Sequence, residues 1–216
     1  MAGDREAAFA KYNSRVVAAG GWSDVQFFAG CRRDRQHCAL CPKTAQIIAS
    51  QPRINSVVFG SHFFSRLTPG THLSKHCGPS NFRLRCHLGL IVPPGVRIRV
   101  GDEIREWAAG ECLIFDDSFE HEVCVCVFAC TPLPGEYLPL TAVMCLSLST
   151  QVWHDGTEDR VVLICDLWHP DVDLQADVLP LLSEAQVEAM RSAQAGDHLA
   201  LQQRTYSTGE SVMRSP

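Results

Sequence analysis

Apolar residues in this chain fall at helical spacing only over short stretches. In residues 3–19, Ala7, Ala8, Phe9, Tyr12, Val16 and Val17 trace one side of a helix, and Gly20-Gly21 follow where a left-handed C-cap is favoured. The pattern predicts an N-terminal helix in a segment spanning 1–21, followed by a short strand at Val25–Ala29. Pro42 suits a first helical turn, and Ala45, Ile47, Ile48 and Ala49 predict a short helix that Gln51-Pro52 ends.

From residue 54 to 123 the pattern changes to short β-rich runs: Ser56–Phe59, Phe82–Val92, Val96–Val100, Cys112–Phe115 and Phe119–Val123. Clusters of Gly, Pro and Asp separate them, which predicts a β-sandwich or barrel. A final strand is predicted at Arg160–Asp166. Ser183 and Gln186 form a capping box that opens a C-terminal helix in the segment 176–216, with a polar tail after Gly196.

One stretch departs from its surroundings. Residues 124–152 contain no Lys or Arg and a single acidic residue, Glu136. Pro132, Pro134, Gly135, Glu136 and Pro139 interrupt the run, so a lipid-facing helix there would leave backbone groups unpaired. No clear membrane span is therefore expected. Val-Cys-Val-Cys is encodable by a GTGTGT tract, and Leu-Ser-Leu-Ser-Thr-Gln by a pyrimidine tract ending in CAG, as at the two ends of an intron. The expectation is an atypical 29-residue insertion of intron origin.

Composition adds exclusions. With 216 residues the chain suits one domain of 22–175 with appendages, and a net charge of −5 gives no broad attraction to nucleic acid, so no nucleic-acid partner is expected. The first residues show no apolar stretch behind a basic end, hence no visible signal peptide. Eleven cysteines are scattered, and most, including Cys86, Cys112 and Cys165, are expected as buried thiols. Cys38-x-x-Cys41 with Cys31 nearby lacks a second ligand pair and is weak evidence for zinc.

The densest chemistry lies between His76 and Leu90. Strand alternation there places Arg83, Arg85, His87 and Gly89 on one face, a polar lining, and Leu84, Cys86, Leu88 and Leu90 on the other, predicted as core. Arginines and a histidine pointing into one space call for an anion, such as a dicarboxylate; an exposed polar edge is the alternative. His121 ends a second cluster 45 residues beyond His76, and two strands could bring both imidazoles to one metal.

These motifs, HxGPxNxRLRxHLGL, FDDSFEHEV and DLWHP, resemble the aspartyl/asparaginyl β-hydroxylase family over Trp22 to Pro170. The resemblance implies a mainly β fold, a double-stranded β-helix of jelly-roll or cupin type with flanking N-terminal and C-terminal helices. It implies an Fe(II)- and 2-oxoglutarate-dependent dioxygenase that uses dioxygen to hydroxylate the β-carbon of Asp or Asn residues. By that resemblance His76 and His121 bind the metal, and Ser65, Arg85, His87 and Arg160 contact 2-oxoglutarate, with Trp22 closing the pocket. The carboxylate usual two residues after the first histidine is replaced by Gly78, a departure the family shares. Protein substrates such as epidermal-growth-factor-like domains, and a place in the endoplasmic reticulum membrane or lumen, are implied in the same way. Asn81, Arg83, His154 and His169 are left to capping, turns or surface bonds. The competing reading is an inactive β-helix binding module whose site the insertion disrupts; a cupin-like binder of some other metal or small acid is a third.

Overall fold

The computed structural model describes residues 10–11, 16–125 and 158–195. Twelve strands dominate them: β1 (Ala10–Lys11), β2 (Val17–Ala19), β3 (Trp22–Ala29), β4 (Arg32–Arg33), β5 (Ser61–Leu67), β6 (His72–His76), β7 (Arg83–Ile91), β8 (Val96–Val100), β9 (Glu103–Glu106), β10 (Cys112–Phe115), β11 (His121–Val125) and β12 (Arg160–Trp168). They form two antiparallel sheets. The larger runs β1-β3-β5-β12-β7-β10 with β4 on β3, and the smaller runs β2-β6-β11-β8-β9. From β5 to β8 and from β9 to β12 each successive strand changes sheet, the winding of a double-stranded β-helix.

Alternation of side chains along the strands builds the core between the sheets. Phe63, Leu67, Val162 and Ile164 of the large sheet meet Leu73, Val96, Ile98 and Val123 of the small one, with Trp107 among them. Each is worth about 1.5–3 kcal/mol on removal from water. On the outside of the large sheet sit three short helices. Arg35–Leu40 is capped by the Asp34 carboxylate, which accepts from the His37 amide at 2.9 Å. Pro42–Ala49 and Pro52–Asn55 each open on proline. Cys38, Ala45, Ile48 and Ala49 pack from this layer onto Val25, Phe27, Phe28 and Cys165. At the C-terminal side a single π-helical turn (Leu174–Val178), a 3-10 turn (Leu179–Leu181) and a helix over 184–195 bury Val178 and Met190 against Val57, Val58 and Trp168. That last helix opens on the expected capping box: the Ser183 amide donates to Gln186 Oε1 at 3.0 Å and the Gln186 amide to Ser183 Oγ at 3.4 Å.

Several expectations change. Where a helix was predicted over 3–19, the described residues Ala10–Lys11 and Val17–Ala19 are strands. The carbonyl of Val16 accepts from both the amide and the hydroxyl of Ser74, so pairing with β6 overrides the helical spacing. Ser56–Phe59 is a turn: Ser56 Oγ donates to the Pro52 carbonyl and accepts from Trp168 Nε1, fixing it beside the helix that precedes it. The faces of β7 are also the reverse of a simple core-and-lining. Arg83, His87 and Gly89 are buried between the sheets, whereas Leu90 on the aliphatic side is 42 % exposed. Cys112 is exposed. Most of the insertion, His154 and the polar tail lie outside the described residues.

Candidate active site

Strands β6 and β11 are hydrogen-bonded neighbours in the small sheet, and their register sets His76 opposite His121. The two rings lie 4.1 Å apart between centroids. His76 Nδ1 is 2.8 Å from the Ser74 carbonyl and His121 Nδ1 is 3.0 Å from the Phe119 carbonyl. A carbonyl only accepts, so each ring carries its proton on Nδ1 and keeps the Nε2 lone pair for another partner. Burial holds the His121 pKa below its ordinary value, and the Phe119 carbonyl opposes that shift. Two imidazoles with their Nδ1 backbone bonds already made are prepared to ligate a metal ion through Nε2. Among the described residues no group of three or more His, Cys, Asp or Glu could hold one.

A second set of residues faces the inter-sheet space from the large sheet. Arg160, at the start of β12, is 1 % exposed. Its Nη1 donates to Ser65 Oγ at 3.1 Å, and its guanidinium lies 4.7 Å from the Trp107 ring centroid. Its Nε has no hydrogen-bond partner among the described residues, and no carboxylate pairs with it there. Burial pushes its pKa down to about 9. His87, on β7, stacks on Trp107 with centroids 5.8 Å apart, and Trp107 Nε1 donates to His87 Nδ1 at 3.3 Å. The His87 proton is therefore on Nε2, a buried donor with no partner among the described residues. Burial, followed by the Arg160 charge, holds the His87 pKa well below its usual value, keeping the ring neutral. Phe115 joins this wall to the histidine pair, edge-on to His87 at 5.1 Å and to His121 at 5.5 Å.

Behind the site lies an ionic network, in which Arg83 Nε and Asp117 Oδ1 have no hydrogen-bond partner among the described residues. Asp166 accepts from Arg85 Nε at 2.8 Å, from Arg83 Nη1 at 2.8 Å and from the Ser61 amide at 2.8 Å. Asp117 accepts from Arg83 Nη2 at 2.9 Å and lies 3.4 Å from Arg85 Nη1. Asp117 also reaches the histidine strands. Its carbonyl accepts from the Gly78 amide, and a Cβ on Gly78 would lie 2.5 Å from the Asp117 carboxylate. The side chain of Asp117 thus fills the room a residue-78 carboxylate would need.

Of the sequence-predicted residues, the fold brings together His76 with His121, and Arg160 with Ser65 and, through Trp107, His87. Arg85 is engaged by the two buried aspartates. Trp22 opens β3 opposite Leu67 and packs, partly buried, on the inter-sheet core. Arg83 is a buried network member, Asn81 is exposed, and His169 shapes a turn by accepting from the Asp171 amide. Asp116 accepts from the Ser118 amide and so shapes the turn before His121. Sequence reasoning missed Trp107, Phe115 and Asp166, and it weighed Asp117, with Asp116, only as a substitute metal carboxylate to which the family resemblance gives no ligand role. The paired Asp116-Asp117 was the one visible signal, and it did not distinguish a turn former from a buried counter-ion.

A family model described as aspartyl/asparaginyl beta-hydroxylase matches residues 2–126. The human protein named aspartyl/asparaginyl beta-hydroxylase is 34% identical over 157 residues, covering 72% of this chain and 17% of its own length. The mouse protein named aspartate beta-hydroxylase domain-containing protein 2 is 35% identical over 166 residues, covering 75% of this chain and 39% of its own. The chain thus spans well under two thirds of these relatives. A prolyl-4-hydroxylase structure from Pseudomonas putida aligns with a TM-score of 0.38 at 14% identity, covering 77% of this chain and 80% of that one.

Proposed function

Because the chain belongs to the aspartyl/asparaginyl β-hydroxylase family, we propose that it is an Fe(II)- and 2-oxoglutarate-dependent dioxygenase acting on the β-carbon of Asp or Asn residues in protein substrates. The observation that carries the reading is the pairing of two Nδ1-protonated imidazoles with a buried, carboxylate-free arginine across one inter-sheet space. A metal held by two neutral nitrogens needs anionic ligands from elsewhere, and a buried cation needs an anion; one dicarboxylate meets both demands.

His76 and His121 would hold the iron, with the Ser74 and Phe119 carbonyls fixing their rings. Arg160 and Ser65 would grip the far carboxylate of 2-oxoglutarate, the guanidinium offering a fork that lysine lacks. His87 would add its unpartnered Nε2–H, its tautomer set by Trp107. Arg85, oriented by Asp166, would line the cosubstrate side, and Trp22 would close it. Phe115 keeps water from the space between His87 and His121. Bound there, iron, 2-oxoglutarate and dioxygen would supply an oxidant able to hydroxylate an unactivated C–H bond while the cosubstrate becomes succinate and CO2. Peptides patterned on epidermal-growth-factor-like domains are the first substrates to offer.

The test is an anaerobic titration of Fe(II) followed by 2-oxoglutarate, watching for the visible metal-to-ligand charge-transfer band. A band that vanishes on His76→Ala supports the assignment; no band from the folded wild-type chain overturns it. Oxygenated assays then follow succinate and the gain of one oxygen atom by an Asp- or Asn-containing peptide. A band without turnover of any peptide would favour a binding module.

A further inference from the structure

The basic side chains divide sharply between two parts of the molecule. Every Lys and Arg from residue 61 to 125 is ion-paired: Arg66 with Asp159, Lys75 and Arg99 with Glu120, Arg97 with Glu106, Arg105 with Glu103, and Arg83 and Arg85 with the buried aspartates. The helical layer on the outside of the large sheet is the opposite. Residues 30–55 hold Arg32, Arg33, Arg35, Lys43 and Arg53 against the single acid Asp34, a local charge of +4 in a chain of net −5. All five cations are exposed. Among the described residues none of the five is ion-paired, and Asp34 is turned to its own helix, 3.3 Å from His37.

The same layer exposes apolar side chains. Cys38, Ala45, Ile48 and Ala49 face the sheet, so Leu40, Lys43 and Ile47, on the opposite sides of these short helices, face away. Ile47 is 64% exposed and Leu40 43%. Lys43 and Ile47 stand four residues apart in one helix, hence side by side on its surface. Cations without carboxylate partners among the described residues, Arg33 resting over the Phe28 ring at 6.0 Å, and protruding aliphatic residues share this surface. They match the headgroup region of an anionic bilayer, where phosphate and carboxylate meet the ammonium and guanidinium groups and the aliphatic tips enter the acyl boundary.

We propose that the helical layer over residues 32–53 is a peripheral docking surface for anionic lipid membranes. It does not depend on the active-site reading, because none of these residues belongs to that site. The acidic remainder of the chain, with a charge of −9, orients the molecule by facing away from such a surface.

Co-sedimentation of the full chain with vesicles decides the matter, using phosphatidylcholine alone and phosphatidylcholine mixed with phosphatidylserine. Binding is expected only to the anionic vesicles and should weaken as salt rises. Each basic residue removed should lower the partition about fivefold, so Arg32→Gln, Arg33→Gln and Lys43→Gln together should abolish measurable binding. Ile47→Ser should weaken it at unchanged charge. These positions are exposed, and an unchanged thermal melt verifies the fold. Absence of binding by the wild-type chain overturns the proposal. So does binding to heparin or single-stranded nucleic acid as strong as to vesicles and indifferent to Ile47→Ser, which would assign the patch to a soluble polyanion.

Discussion

Two groups of arginine, Arg85 partly and Arg83 and Arg160 deeply buried, lie on the inner face of one sheet and solve their charge differently. Arg83 and Arg85 share two carboxylates, Asp117 and Asp166, whose side chains have no exposed surface. Arg160 is as deeply buried but, among the described residues, has a serine hydroxyl and an aromatic face instead of a carboxylate. A guanidinium removed from water is costly unless an anion answers it. The first group is answered by carboxylates of the chain itself. The second is left open, which is what a binding site for an external anion requires.

The difference can be broken most severely from the closed side. Asp166→Asn should remove one of two charges neutralising Arg83 and Arg85, and should cost about 3–5 kcal/mol in urea unfolding. A loss under about 1 kcal/mol would mean that the network is solvated and the contrast is not one of burial.

Acid should act on the same side through His62, which is 1% exposed and supplies Nδ1 to the Asp166 amide. Burial, opposed by the Asp166 charge, lowers its pKa to about 4. The folded state therefore refuses a proton that the unfolded chain accepts near pH 6.5, so stability is present above that value and falls as pH drops toward 4. The fall should be on the order of 3 kcal/mol. Denaturant midpoints across this range should show it in the wild type and lose much of the slope in His62→Asn, which keeps an acceptor without a titrating ring.

Gly78→Asp sits where the two regions touch. It places a carboxylate two residues after His76, where a two-histidine, one-carboxylate triad would put one, but its Cβ would collide with Asp117 at 2.5 Å. The expected outcome is a loss of about 2 kcal/mol from overpacking and no gain in Fe(II) affinity by titration. A tighter metal complex would show that Asp117 yields its place.

Part of this was legible in the sequence and part was not. Val96–Val100 and Cys112–Phe115 emerge at their expected bounds, since regular alternation against one core leaves little choice. Ser61–Leu67 and His72–His76 went unseen. The first carries Phe63 and Phe64 side by side, facing opposite clusters, and the second has one apolar residue in five. The histidine pair and Arg160 were reachable through family motifs. The carboxylate that orients Arg85 was not, because Asp166 lies 81 residues away and only the β7–β12 register brings them together.

Arg160→Leu gives the smallest change in stability and the clearest division. Replacing a buried cation that has no carboxylate by an apolar side chain should leave the unliganded protein within about 1 kcal/mol of wild type, or make it slightly more stable. Arg83→Leu, which strands Asp117 and Asp166, should cost about 3–5 kcal/mol. Adding 2-oxoglutarate with Mn(II) in place of iron should rank the two variants the other way when the ligand-induced gain in stability is compared. Wild type at a hundredfold excess over its dissociation constant gains about 2.7 kcal/mol, and Arg160→Leu should gain far less. Arg160→Lys should fall between them, keeping a charge without the fork. Were Arg160→Leu as damaging without ligand as Arg83→Leu, the open arginine would be a structural one, and the contrast between the two groups would be lost.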